Sequence, residues 1–332
     1  MGATVAVLQP YSVHVFRVGT AAILSLLAAC ATAPVASLPP DGRPLVAHLD
    51  VGGGDAAFDA LARSFARANP GHALGWLPRC ERLEPHDAQR IAFVQRGRAR
   101  ALLLDTDGAR PGASGEAGVG DLLLVHPGTS LVLSSPLDLL VFELPHEPAP
   151  TVPILLRPDD DPRIVSEPGG CATESDAYRR LVLTWRGKPG PYAFEGLNAH
   201  RVRIADSFTH YHPAQGGFDE LYLVQAATPG ARILTSAKVD RIERPLTVTR
   251  EEAATLVVET PVRAGDLVLL PRTMAHRGLG GILAHVITVP GFVPGAEIGI
   301  DHHLRAINER LGLTGADALP LHAAASHGPV VR

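Results

Sequence analysis

Three histidines and one glutamate form the clearest chemical pattern in the chain. His210 and His212 are separated by a single residue, so on a β-strand both imidazoles would project from the same face. Glu220 begins an apolar run shortly afterwards, and His276 follows a later turn. Three neutral imidazoles and one carboxylate are a mixed N/O donor set that suits a transition metal. Around an octahedral ion, four such ligands leave two positions for water, O2 or substrate.

The spacing of these residues resembles the two motifs of the cupin superfamily, G(X)5HXH(X)3–4E(X)6G and G(X)5PXG(X)2H. The chain has His210-x-His212-x7-Glu220 for the first motif and Gly265-x5-Pro271-x-Thr273-x2-His276 for the second. None of the departures removes a ligand. They are Ile204 for the opening Gly, a longer loop before Glu220, Ala227 for the closing Gly and Thr273 for a turn Gly.

The resemblance implies one divalent transition metal, held by His210, His212, Glu220 and His276. The donor set permits Fe, Mn, Zn, Ni or Cu, and we favour Fe or Mn. Tyr222 has the same strand parity as Glu220, so it is either a catalytic contact to substrate or a core aromatic residue. His285 lies in an apolar run, which favours packing or support of the site over metal ligation.

The elements that must position these ligands are predicted to be short strands. The chain has 332 residues, of which 46% are apolar, 29 are Pro and 33 are Gly, a composition that favours strands and turns over long helices. The cupin resemblance implies an all-β protein with two double-stranded β-helix (jelly-roll) modules and a few peripheral helices. A net charge of −4 gives no support for nucleic-acid binding.

The predicted organisation has seven segments. They are a lipoprotein signal peptide (1–29), a Pro-rich tether (30–44), a strand and helix (45–73), a degenerate cupin (74–150), a linker (151–190), a metal-binding cupin (191–300) and a C-terminal helix and tail (301–332).

The N-terminal module is predicted to have lost its metal. Laid on the same template, Arg90 stands at the Glu position and Leu131 at the position of the last His. Residues 84–86, Glu-Pro-His, take the place of the HXH pair. Arg90 is expected to form an ion pair with Glu84, and anion binding is the alternative.

The first thirty residues predict export from the cytoplasm. An uncharged, apolar stretch follows Arg17 and ends in Leu-Ala-Ala-Cys30, which resembles a bacterial lipobox with Cys30 as the lipidated residue. We expect a location in the cell envelope, on the periplasmic side of the outer membrane, with membrane contact through the lipid anchor only. Cys80 and Cys171 either form a disulfide there or remain buried thiols.

Function is predicted at the level of a class. The first hypothesis is a metal-dependent cupin enzyme acting on a small organic substrate, and within that class we favour an oxidoreductase of dioxygenase type. The alternatives are a cupin isomerase or decarboxylase and a non-catalytic envelope protein that binds a sugar or another small ligand. The expected partner is a small-molecule substrate, and a homodimer is left open.

Overall fold

The computed structural model describes residues 38–39, 41–49, 56–104, 111–149, 151–169, 177–185, 187 and 190–332. The predicted signal peptide, Cys30 and Cys171 lie outside these residues. Cys80 carries a free thiol that donates to the Arg82 carbonyl oxygen at 3.3 Å, so its pairing with Cys171 stays a prediction. No helix of the described residues is long and apolar enough to cross a membrane.

The described elements are mainly strands, which confirms the all-β prediction. The strands are β1 (Leu45–His48), β2 (Ala73–Leu83), β3 (Gln89–Arg96), β4 (Arg98–Leu104), β5 (Pro111–Gly118), β6 (Leu122–Val125), β7 (Ser130–Leu144), β8 (Leu155–Leu156), β9 (Arg179–Leu183), β10 (Asn198–Asp206), β11 (His210–Tyr211), β12 (Asp219–Ala227), β13 (Arg232–Ser236), β14 (Val258–Pro261), β15 (Asp266–Leu270), β16 (Ala275–Val289), β17 (Ile298–Gly299) and β18 (Val330–Val331). The α-helices are α1 (Ala56–Ala68), α2 (Val239–Ile242), α3 (Arg250–Ala253) and α4 (Asp301–Leu311).

The strands form two sheets, one for each jelly-roll module. Strands β2 to β8 make a seven-stranded sheet, and the other eleven strands make the second. The two modules repeat one pattern, because β3 lies between β6 and β7 as β12 lies between β15 and β16. In each module a strand of 15 residues, β7 or β16, curves past several partners. The predicted pair of double-stranded β-helices is therefore confirmed.

Alternation along the strands creates an interior face and a face toward the other module. In β12, Tyr222 and Val224 pack inside the C-terminal barrel, whereas Leu221 and Leu223 join a core that continues to Ile91 and Phe93 of β3. The period of two thus gives each central strand two apolar faces, both buried. One continuous apolar core holds the two modules together.

The first strand of the chain belongs to the C-terminal sheet. β1 runs antiparallel to β15, with Leu45 opposite Leu269 and His48 opposite Asp266. Helix α1 then packs Leu61 and Phe65, both wholly buried, into the core between the modules. The segment predicted as a separate strand and helix is therefore paired with the far end of the chain.

Helix α4 begins differently from the sequence-based expectation. Asp301 is predicted as its N-cap, but the N-cap is Ile300 and Asp301 is the first helical residue. Its buried carboxylate accepts hydrogen bonds from the backbone and the hydroxyl of Thr209, at 2.7 and 2.6 Å. Gly312 ends the helix with φ +61°, as its place in the sequence predicts.

Candidate metal centre

Three strands, β11, β12 and β16, bring the four predicted ligands together. His210 on β11 lies directly opposite His276, the second residue of β16. Glu220 on β12 faces the barrel interior with Tyr222, and His212 directly follows β11. Ligands distant in sequence become neighbours because β16 curves from β12 to β11 within one strand.

The donor atoms of the four residues converge. One donor atom from each of them lies within 4.8 Å of the others, and all four side chains are buried. Glu220 Oε2 is 3.6 Å from His212 Nε2, and its Oε1 is 3.6 Å from His276 Nε2. These separations place the donors around a common centre where a metal ion could bind all of them.

The hydrogen bonds of the imidazoles prepare Nε2 for a metal. His210 Nδ1 lies 3.1 Å from the Phe208 carbonyl oxygen, and His276 Nδ1 lies 3.2 Å from that of Met274. A carbonyl only accepts, so Nδ1 donates and each Nε2 keeps its lone pair. The Nε2 atoms of His210, His212 and His276 are buried, and each lacks a hydrogen-bond partner among the described residues. The chemistry of the site therefore fits a transition metal.

Burial favours the metal-binding protonation state of the histidines. It lowers the pKa of His210 and His212 well below the usual value, and the neighbouring His276 imidazole lowers both further. Burial acts to raise the pKa of Glu220, but the adjacent His276 imidazole, followed by those of His210 and His200, outweighs that effect, so its pKa is lowered. Neutral imidazoles and an ionised carboxylate are the forms that bind a metal cation.

A buried polar network supports the loops that carry the ligands. Arg272, four residues before His276, donates from its backbone N and from Nε to Asp219 Oδ1, both at 2.9 Å. Asn69, which follows α1, donates to Asp219 Oδ2 at 2.7 Å and accepts from Arg272 at 2.9 Å. The two motifs are thus joined to each other and to the N-terminal helix.

Glu297 is a residue of the site that the motif comparison does not identify. It precedes β17, is 6% exposed, and has Oε1 at 3.9 Å from His210 Nε2. Burial, followed by the charge of Glu220, raises the pKa of Glu297 to about 7. A Glu between the apolar residues Ala296 and Ile298 is the one signal that the sequence offered.

Two other predicted residues, Tyr222 and His285, differ in their position relative to the ligands. Tyr222 is wholly buried in the barrel core, with its ring centroid 6.3 Å from that of His276. His285 faces the other module, where its ring is 5.1 Å from that of Phe93 and Nε2 is 3.0 Å from the Gly120 carbonyl oxygen. His285 therefore contributes to packing between modules and is distant from the ligand set.

The N-terminal module keeps the strands without the donor set. Leu131 is wholly buried in its apolar core, and Arg90 donates to the carbonyl oxygen of Glu84 at 2.7 Å. The predicted Arg90–Glu84 ion pair is wrong, because the Glu84 carboxylate pairs with Arg82 at 2.9 Å. The two side chains point in different directions, because Arg90 points into the barrel and the Glu84 side chain is exposed.

Comparison with known proteins gives structural neighbours only. No protein-family model and no curated protein matches the chain. The oxalate decarboxylase of Lactobacillus farciminis, solved as a formate complex, is 15% identical with a TM-score of 0.45, over 74% of this chain and 82% of that one. A variant of Bacillus subtilis oxalate decarboxylase is 14% identical with a TM-score of 0.45, over 82% and 83%.

The fold and the site agree with the organisation predicted from the sequence motifs. The described residues form two jelly-roll modules, and three histidines and a glutamate converge in the second as a candidate metal centre, as the cupin resemblance of the sequence implies.

Proposed function

We propose that the protein is a metal-dependent cupin enzyme that acts on a small organic acid in its C-terminal module. The observation that carries this proposal is the convergence of three unpartnered Nε2 atoms with Glu220, beside the second buried carboxyl of Glu297. A structural ion would need only the four ligands. A further carboxyl beside them supplies a group for proton transfer.

The bound metal would act as a Lewis acid that polarises the oxygen atoms of the substrate. The chain would supply the rest of the chemistry. Phe208 and Phe218, whose rings lie 4.5 and 3.9 Å from those of His210 and His212, exclude water from the ligands. Glu297, with its pKa near 7, can hold a proton at Oε1 or release it close to neutral pH.

This arrangement favours decarboxylation or isomerisation of a small hydroxy or keto acid, since both reactions need a proton to be moved. The dioxygenase hypothesis is the second candidate. It is favoured by the open positions of a three-His, one-Glu centre, which suit O2 together with a bidentate substrate when the metal is Fe.

Turnover with and without oxygen separates these reactions. The purified protein, with its metal content measured, is incubated with small hydroxy and keto acids in air and under argon. Equal product formation under both gases is expected for a decarboxylase or isomerase. Oxygen consumption matched to product would establish the dioxygenase, and absence of turnover with full metal would contradict both enzymes and favour a binding protein.

The location in the cell envelope is also a proposal. It depends on Cys30 and the apolar stretch before it, so metabolic labelling with a palmitate analogue tests it in a bacterial host. Label on the unmodified chain and none on Cys30→Ser is the expected result. Equal label on both would contradict the lipid anchor.

A further inference from the structure

Asn69, the residue directly after helix α1, reaches from that helix to the two motifs that carry the metal ligands. It is 4% exposed. Its Nδ2 donates to the Phe65 carbonyl oxygen at 3.0 Å and to Asp219 Oδ2 at 2.7 Å, and its Oδ1 accepts from Arg272 Nη2 at 2.9 Å. Both amide hydrogens and the amide oxygen are therefore bonded, which fixes the orientation of the side chain.

Asp219 and Arg272 each belong to a segment that carries ligands. Asp219 precedes Glu220 on β12, and Arg272 lies in the turn between β15 and β16. In the same turn, the backbone N–H of Thr273 donates to the His212 carbonyl oxygen at 2.7 Å. A displacement of the Asp219–Arg272 pair would therefore shift the backbone that carries ligands of both motifs.

The Asp219–Arg272 pair depends on complete hydrogen bonding. The two residues are 0% and 3% exposed, and Asp219 Oδ1 accepts from the backbone N and the Nε of Arg272. A buried ion pair is favourable only when its remaining donors and acceptors are also satisfied, because both charges have lost their water. Asn69 bonds both members of the pair, so its loss would leave each of them short of one hydrogen bond.

From these contacts we infer that Asn69 is a positioning residue of the metal centre. It holds the Asp219–Arg272 pair in place and thereby sets how tightly the four ligands bind a metal ion. The inference rests on the proposed function and adds a control of its metal centre from helix α1. Groups that orient metal ligands change metal affinity by about 10- to 100-fold when they are removed. Asn69 acts through an intermediate pair, so we expect about tenfold, the lower end of this range.

Titration of the metal-free, full-length protein with Co²⁺ measures this effect, because the visible absorption of bound Co²⁺ reports both the affinity and the ligand geometry. In Asn69→Asp, a carboxylate oxygen faces Asp219 Oδ2 in place of the donating amide, and the repulsion displaces the pair. We expect Co²⁺ to bind about tenfold more weakly, with an altered spectrum. Asp219→Asn removes the charge opposite Arg272 and is expected to weaken binding by at least as much.

The combined Asn69→Asp, Asp219→Asn variant exchanges the amide and the carboxylate. It restores a negative charge beside Arg272 and a hydrogen bond between positions 69 and 219, with the donor on the other side. We expect Co²⁺ affinity within about threefold of the unmodified protein, whereas two independent losses would multiply to about a hundredfold. If Asn69→Asp does not fold, the combined variant is compared with Asp219→Asn alone, and equal or weaker Co²⁺ binding in the combined variant would overturn the inference.

Leu61→Ala is the matched control in helix α1. Leu61 is wholly buried in the apolar core, so its truncation loosens the packing of the helix and removes no bond of the polar network. We expect the Co²⁺ affinity to change less than about twofold and the spectrum to be retained. Equal weakening in Leu61→Ala and Asn69→Asp would show that general loosening of the helix is the cause and would overturn the inference. Unchanged Co²⁺ binding in folded Asn69→Asp would overturn it as well.

The outcomes also separate this inference from the proposed function. Metal binding is measured without substrate, so absence of turnover with the candidate acids would contradict the proposed enzyme and leave the effect of Asn69 intact. Unmodified protein that binds no Co²⁺ would refute the metal centre itself, and the inference with it.

Discussion

The two jelly-roll modules have the same strand register and different chemistry at equivalent positions. Arg90 lies opposite Val125 and Glu143, as Glu220 lies opposite Leu270 and Thr288. Arg90 thus stands at the position of the metal-binding glutamate. The strand pairs are retained although the metal ligands differ, so the sheet depends on apolar alternation and turns rather than on the metal.

The largest effect is expected when the two modules are separated. A chain that begins at residue 175 would lack β1 and every residue of the shared core before Val182. Exposed apolar surface costs roughly 25 cal/mol per Å², so we expect the fragment to aggregate or to bind a hydrophobic dye such as ANS. Sedimentation and dye fluorescence measure this, and a folded monomer with full metal would contradict it.

Removing ligands tests the difference in chemistry directly. His210→Ala and His276→Ala are each expected to reduce bound metal to near background, because each deletes one of four donors. Glu220→Gln should have a smaller effect, since an amide oxygen can still coordinate. Elemental analysis of the purified variants measures the change.

The matched controls for this experiment lie in the N-terminal module. His86→Ala and His126→Ala are expected to leave the metal content unchanged, because the described residues around Arg90 contain no such donor set. Stoichiometric metal in the His210→Ala, His276→Ala double variant, or metal loss in either control, would refute the assignment.

Glu297, in the C-terminal module, is expected to make the unfolding free energy depend on pH. Its pKa is raised to about 7 in the folded protein from a usual 4.5, so its contribution to stability is complete below pH 4.5 and is lost as the pH rises through 7. Relative to Glu297→Gln, the metal-free protein should lose roughly 3 kcal/mol of unfolding free energy over this interval. Urea unfolding at pH 4.5 and 8 measures the difference. Parallel curves for the two proteins would contradict the burial of a titrating carboxyl.

The smallest effect concerns the turn before His276. Thr273 has φ +75°, and its counterpart in the N-terminal module, Gly128, has φ +71°. A β-branched residue is strained in this region, so Thr273→Gly should raise the unfolding free energy by up to about 1 kcal/mol after the loss of chain entropy. Thermal unfolding checks the sign. A lower melting temperature would show that the threonine side chain contributes more than its strain costs.

The ligands were predictable because their spacing is local, and the supporting residues were not. His210, His212, Glu220 and His276 sit in two short motifs, and the structure brings all four together. Glu297 and Asn69 belong to no motif, and only the folded chain shows that one lies beside His210 and the other bonds to Asp219. Asp301 was assigned to its own helix from sequence, but its hydrogen bonds to Thr209 are tertiary.

The pairing of β1 with β15 has a consequence for the order of folding. Leu45 leaves the ribosome long before Leu269, its partner in the sheet, has been synthesised. The edge of β15 can be covered only when nearly all of the chain exists, and contacts of such long sequence separation form slowly. Until then β1 lacks its strand partner, and α1 can pack only on residues of the N-terminal module such as Phe142, so part of its apolar face is open to aggregation. A mutation that weakens this pairing would therefore reduce the yield of folded protein more than it changes the finished site.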